Sequence, residues 1–301
     1  MRDGICVQIP AYRDPELPAT VADLVGTAAR PERLTIHIAW QYGPEELGLA
    51  CQLRRLGAVH VIEIPARESQ GCNWARSLLQ QEWAGEPYTL LLDSHHRFAP
   101  GWDDRLVRLL HRQREAGSDD PILTGYLPPY VPARDPEGRV LAVYRMDLAE
   151  RCDGLLYRLT GHPVPDWRNL DAPLRAGFAS LHLLFAEGSL NDRLRFDPDV
   201  YFFADEVAVA LRAHTLGYDL FHPHLVLGWH LYDRSSRVPH WADHAGAGEQ
   251  QARSLARLRE LYSGSLQGRY GLGQRRTVAD YERLVGRRLI DDSDTANHTG
   301  G

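Results

Sequence analysis

Within the first 126 residues, short apolar and β-branched runs alternate with stretches of helical periodicity. Ile5-Cys6-Val7-Gln8-Ile9, Leu34 to Trp40, Val59 to Ile64 and Tyr88 to Leu92 read as strands. Leu17 to Ala29, Glu45 to Leu56 with Gly57 as C-cap, Asn73 to Glu82 with Asn73 as N-cap, and Asp103 to Glu115 read as helices. Ile122 to Tyr126 reads as a further strand. This alternation predicts an α/β fold, a mostly parallel sheet with helices on both faces. Right-handed crossovers carry the loops that leave such strands to one edge. Pro10 to Pro15 is read as the first of them. Tyr12-Arg13-Asp14, Trp40-Gln41-Tyr42 and Asp93-Ser94-His95 should therefore meet in one cleft. Open α/β sheets bind their ligands at that end.

The texture changes after Tyr126. Pro128, Pro129, Pro132 and Pro136 mark an irregular stretch, with Val140 to Arg145 a short strand. Asp153 to Pro173 reads as loops over a site, and Phe178 to Ala186 resumes an apolar pattern. Phe203 to Leu216 is helix-like with Gly217 as C-cap, and Asp219 to His222 and Leu225 to Trp229 look extended. Helices are expected over Gln250 to Tyr262 and from Thr277, where Thr277 and Asp280 are set as a capping box. Asp291 to Gly301 reads as a polar, flexible tail. The expected organisation is one domain over 1–290, with a first half (1–126), a second half (127–245) and C-terminal helices (246–290).

Bulk properties narrow the function. A net charge of -6 does not favour nucleic acid, and no basic block carries interleaved aromatics. Every basic residue is Arg, so chemistry that needs a Lys is excluded. The four cysteines lie far apart without a CxxC, so neither a zinc ribbon nor a disulfide framework is indicated. Cys6 reads as a small core residue. There is no basic-then-apolar leader and no membrane-spanning run, which makes the cytoplasm the expected compartment. P-loop and GxGxxG fingerprints are missing.

The chemistry gathers where Leu90-Leu91-Leu92 gives way to Asp93-Ser94-His95-His96. Alternation along an extended chain turns Asp93 and His95 to one side and Ser94 and His96 to the other. A carboxylate beside an imidazole can hold a divalent cation; the same residues could also simply close the strand with a polar turn. Tyr12 can stack on a base. Arg13 or Arg76 can neutralise a diphosphate, and Arg76 lies in the anion-favouring first turn of a helix. Phe98 and Trp102 should pack beneath the Asp93 loop, and Trp74 and Trp229 could line a sugar pocket.

Several segments together carry a resemblance: Val7 to Leu17, Trp40-Gln41, Gly71 to Arg76, Asp93 to Asp103, Arg195 to Pro198, Phe202 to Glu206, Gly228 to Arg234 and Gly273 to Tyr281. In this order they resemble the Skp1-type polypeptide N-acetylglucosaminyltransferases, a family similar to the polypeptide N-acetylgalactosaminyltransferases. The resemblance implies a GT-A, Rossmann-like fold with irregular acceptor-side loops. It also implies a retaining transferase that moves a sugar, N-acetylglucosamine, from a UDP-sugar to a hydroxyl of a peptide, protein, glycan or small molecule. By match, Asp93, His95 and His230 would hold Mn2+, with His222, His224 and His240 close enough in sequence to replace His230. Glu206, then Asp205, are the catalytic candidates, although both could instead serve a helix N-terminus. Ala11, Tyr12, Arg13, Arg76, Ser94 and Arg234 are the donor-binding candidates. The rival reading is a metal-dependent hydrolase of phosphate or sugar esters using the same acids and histidines.

Overall fold

The computed structural model describes residues 3–54, 59–235 and 237–291. In the first half, strands β1 (Ile5–Tyr12), β2 (Leu34–Tyr42), β3 (Val59–Pro65) and β4 (Tyr88–Leu92) alternate with helices α1 (Leu17–Thr27), α2 (Leu49–Arg54) and α3 (Cys72–Gln81). They are followed by β5 (His96–Phe98), α4 (Trp102–Glu115) and β6 (Pro121–Thr124). The second half holds β7 (Tyr144–Cys152), β8 (Leu155–Pro163), β9 (Leu174–Ala176), β10 (Leu183–Glu187), the short α5 (Leu190–Arg193) and α6 (Asp205–Leu216). It ends with β11 (Asp219–His222), β12 (Gly228–His230), α7 (Ala247–Ser263) and α8 (Val278–Val285).

Eight strands form the central sheet in the order β3-β2-β1-β4-β10-β6-β11-β9. The first four are parallel, as the alternation predicts. β10 then enters antiparallel between β4 and β6, and β9 closes the far edge antiparallel to β11. Alternate residues of the central strands feed two cores. Val7, Leu90, Leu92 and Phe185 pack with α1 and α4, whereas Leu91, Leu184 and Ala186 pack with α6 and α7. Phe98 and Trp102 are fully buried in the first core, where the Trp102 indole donates to Leu24 O at 3.0 Å.

Several expectations change. β1 runs on to Tyr12, so Pro10 lies in a strand and not in a loop. It is tolerated because β4 pairs with β1 only as far as Gln8. The N-cap of α3 is Gly71, at φ +111°, and Asn73 accepts instead from Arg76. A Cβ at Gly71 would lie 2.6 Å from Tyr201 O. The span from Glu45 forms a 3-10 turn over Pro44–Glu46 and then α2; its expected end at Leu56 and Gly57 lies outside the described residues, as does the tail beyond Asp291. Asp153 to Pro173 is not all loop, since β7 and β8 form a hairpin with Cys152 opposite Leu155. Asp153 and Gly154 both have positive φ, the mirror-image turn geometry that suits a two-residue hairpin. The Thr277–Asp280 capping box and the Gly217 C-cap are both present.

Candidate active site

A two-stranded sheet builds the site. β12 lies antiparallel to β5 with His230 opposite His96. Leu231 N donates to His95 O at 3.0 Å. Gly228 permits this approach, because a Cβ there would meet Arg97 O at 2.5 Å. Strand alternation then separates neighbours: His230 faces the end of β4, while Trp229 faces away. Trp229 packs with Ala99, Tyr130 and Leu231 and donates to Val140 O at 2.8 Å. Neither Trp229 nor Trp74, which packs beside Ala39 and Leu79, lines the cleft.

Asp93, His95 and His230 each present one donor atom, and the three atoms lie within 4.8 Å of one another. His230 Nε2 is 3.4 Å from Asp93 Oδ2, and His95 Nε2 is 3.8 Å from it. Two other histidines weighed for the third position are tied elsewhere. His222 bonds Thr124 O and the Met146 amide, and His240 bonds the Tyr201 hydroxyl. His224 is buried outside the group. His96 lies against the His230 ring but turns its Nδ1 to Asp93 O at 3.0 Å.

The electrostatics suit a cation. Burial alone would raise the Asp93 pKa, but His95 and Arg76 hold it below the usual carboxylate range. Burial, then His95 and His96, push the His230 imidazole well below its usual value. His182, stacked on His230 at 4.2 Å, is lowered by burial and by His230. His96 is lowered to about 4, first by burial and then by His95. Neutral imidazole is the form that ligates metals. One carboxylate and two imidazoles make a mixed oxygen–nitrogen set that suits Mn2+ or another divalent cation.

A buried acid that sequence reasoning gave no role completes the arrangement. Asp14 is 2% exposed and accepts from Ser94 Oγ at 2.6 Å and from His95 Nδ1 at 2.7 Å. This fixes the His95 tautomer and leaves Nε2 as the outward-facing lone pair. Asp14 was legible as an acid just past β1, but nothing local shows that it reaches a residue 81 positions away. Arg237 is the second omission. Its guanidinium lies against His95 and donates to Leu231 O and Asp233 O at 3.1 Å. It sits in an irregular stretch whose sequence carries no periodicity.

The other candidates divide. Tyr12, Ser94 and Arg234 line a cavity of about 300 Å3 together with Asp14, Asp93, His95, His230 and Arg237. Ala11 does not, since its side chain faces the core and its carbonyl accepts from Gln41 at 3.3 Å. Arg13, at φ +44°, pairs with Glu45 and with Asp243 at 2.8 Å. Tyr12 donates to the same Asp243, so two residues at the end of β1 hold the segment that follows β12. Arg76 is buried and bridges two acids, Asp205 at 2.7 Å and Asp93 at 3.6 Å. Asp205 and Glu206 open α6 after Ala204, whose φ is +69°. Glu206 accepts from the Leu181 amide at 3.0 Å and the Tyr126 hydroxyl at 3.1 Å. Burial and the neighbouring Asp205 push it up to about 7.

The mostly parallel sheet flanked by helices matches the GT-A glycosyltransferase fold. The chain belongs to the Glycosyltransferase (GlcNAc) family, whose sequence profile matches residues 4–55 and 45–290. Searching curated protein sequences gives no match. Among solved structures, GalNAc-T7 with UDP, GalNAc and Mn2+ is similar with a TM-score of 0.59 at 15% identity, covering 98% of this chain and 56% of that one. S. aureus TarS 1-349 in complex with UDP-GlcNAc is similar with a TM-score of 0.55 at 11% identity, covering 94% and 70%. The chain thus spans just over half the length of the GalNAc-T7 chain. No helix among the described residues is long and apolar enough to cross a membrane.

Proposed function

We propose that this protein is a metal-dependent, retaining transferase that moves N-acetylglucosamine from UDP-GlcNAc to an acceptor hydroxyl, as in the Skp1-type branch of its family. The observation that carries this reading is the convergence of Asp93, His95 and His230 donor atoms within 4.8 Å at the wall of the cavity. Mn2+ held by these three residues would stabilise charge on the departing diphosphate. Family membership and the UDP and UDP-GlcNAc in the two similar structures support the donor class.

The chain's own residues then take separate tasks. Asp14 holds His95 in one tautomer, and Arg76 holds the Asp93 loop against the start of α6. Tyr12, Ser94 and Arg234 face the donor from the cavity wall, with Arg234 adding positive charge at the diphosphate. Arg13 supports that wall by pinning Asp243, and Ala11 stays in the core behind it. Glu206 sits behind the cavity wall and acts as a positioning residue, through the Tyr126 hydroxyl and the Leu181 amide that its two oxygens hold. One domain spans 1–290, and the acceptor side is formed by the segments after residue 126.

Thermal shift of the metal-free protein against a panel of UDP-sugars, each with and without Mn2+, tests the reading. Binding to the folded state stabilises by about 2.7 kcal/mol at a hundred times the dissociation constant. The expected result is a rise that needs both Mn2+ and UDP-GlcNAc. A folded protein with no response to any UDP-sugar would overturn it. Free sugar released in equal amount to UDP, with acceptor present, would move the reading to hydrolysis.

A further inference from the structure

At the opposite end of the same strands lies a second group that transfer chemistry does not use. Cys6, the second residue of β1, is fully buried. His37 of β2 is 5% exposed, and neither of its ring nitrogens has a hydrogen-bond partner. Glu86, half-buried in the turn before β4, completes the group, with one donor atom from each residue inside 4.8 Å of the others. Packing accounts for Cys6 alone, as a small core residue. It does not account for an imidazole sealed from water with two idle nitrogens, since burying such a group without a bond is costly.

The surroundings favour a cation. Gln8 Nε2 donates to Cys6 Sγ at 3.6 Å, but burial outweighs this contact and, with Glu86 and Glu82 nearby, pushes the thiol up to about 12. His60 stacks on His37 at 5.0 Å, and Glu82 Oε2 lies 3.9 Å from His37 Nδ1. His60 and Glu82 are exposed and both lie beside His37, at the rim of the group.

We propose that Cys6, His37 and Glu86 form a structural site for a borderline divalent cation, Zn2+, that ties β1 and β2 to the α3–β4 turn. Thiolate, imidazole and carboxylate together are a zinc set, whereas Mn2+ and Mg2+ prefer sites without sulfur. A tetrahedral zinc spaces such atoms about 3.3–3.6 Å apart. Closing from the observed 4.8 Å limit takes about 1.2–1.5 Å of movement, which rotation of the half-buried Glu86 supplies by giving up the bond its Oε2 accepts from the Ala84 amide at 3.0 Å. On binding, the Cys6 sulfur loses its proton to solvent and gains one metal–sulfur bond, so charge and atoms balance.

The test uses the full chain stripped with a chelator and titrated with Co2+. The expected result is a near-ultraviolet thiolate-to-cobalt band that saturates within two equivalents, one of them taken by the Asp93 cluster, and is displaced by Zn2+. Asp93→Ala should leave the band unchanged, since the Asp93 cluster holds no sulfur. Cys6→Ser should abolish it. If Cys6→Ser fails to fold, Glu86→Gln, at a half-buried turn, should weaken Co2+ binding about tenfold or more with the band still present. A wild-type protein without the band, a band that persists in folded Cys6→Ser, or Glu86→Gln with wild-type affinity would overturn the site.

Discussion

The two histidine-bearing clusters sit at opposite ends of the same parallel strands and differ in how their polar atoms are satisfied. At the carboxyl end, His95 is held by Asp14 and Asp93 by Arg76, while His230 stacks on His182 and leaves its Nδ1 without a hydrogen-bond partner. At the amino end, His37 has no such backing and Cys6 has only an amide. The carboxyl end also carries backbone strain, with Arg13 at φ +44° and Ala204 at φ +69°. At the amino end the positive φ falls on Gly85, where it costs little. A site that must open to substrate needs its geometry imposed by neighbours. A site that only cross-links can take its geometry from the ion.

The sharpest way to break this comparison is Asp93→Ala. Turnover should fall about a thousandfold, the scale of losing a main electrostatic stabiliser, while the fold survives. Residual activity that still rises with Mn2+ would remove the Asp93 loop from the site.

Glu206→Gln probes how the carboxyl end tolerates buried charge. The folded-state pKa of about 7 lies above the usual 4.5, so the folded protein holds this proton more tightly than the unfolded chain. The contribution of Glu206 to stability is therefore full below pH 4.5 and is lost as pH rises through 7. Removing the charge should make Glu206→Gln more stable than wild type at pH 8, by about 3 kcal/mol at most, with the gain vanishing near pH 4.5. Turnover should drop while donor binding is kept. Melting curves at the two pH values and steady-state rates read the two effects, and a pH-independent difference would show that Glu206 is not buried as a charge.

Asp14→Asn tests the backing itself. Loss of the carboxylate behind His95 should weaken Mn2+ affinity about 10–100-fold, with turnover largely restored at saturating metal. Titration calorimetry would show it, and an unchanged affinity would make the Asp14 contact incidental. Smallest is Ala204→Gly, which should raise stability by about 0.5–1 kcal/mol by relieving the left-handed conformation. A loss of stability instead would mean that the strain is relaxed in solution.

The first four strands were legible because each is an apolar run between turn residues, and a parallel sheet buries such runs on both faces. β10 was visible as an apolar stretch, but nothing in its sequence says that it inserts between β4 and β6. The β7–β8 hairpin was missed although Asp153-Gly154 is its signature, because Pro and Gly dominate the region around it. Asp93, His95 and His230 were nameable from motif order. Their convergence, and the roles of Asp14, Arg76 and Arg237, depend on long-range packing that a single sequence does not display.

The β5–β12 pairing also sets a timetable. His230 reaches Asp93 across 137 positions of chain. Contacts of that separation bear a loop-closure cost and form late. A nascent chain that has made only the parallel half displays Asp93 and His95 without their third partner. High-affinity Mn2+ uptake should therefore trail the recovery of helical signal during refolding, so the ion reports that the last strand has docked.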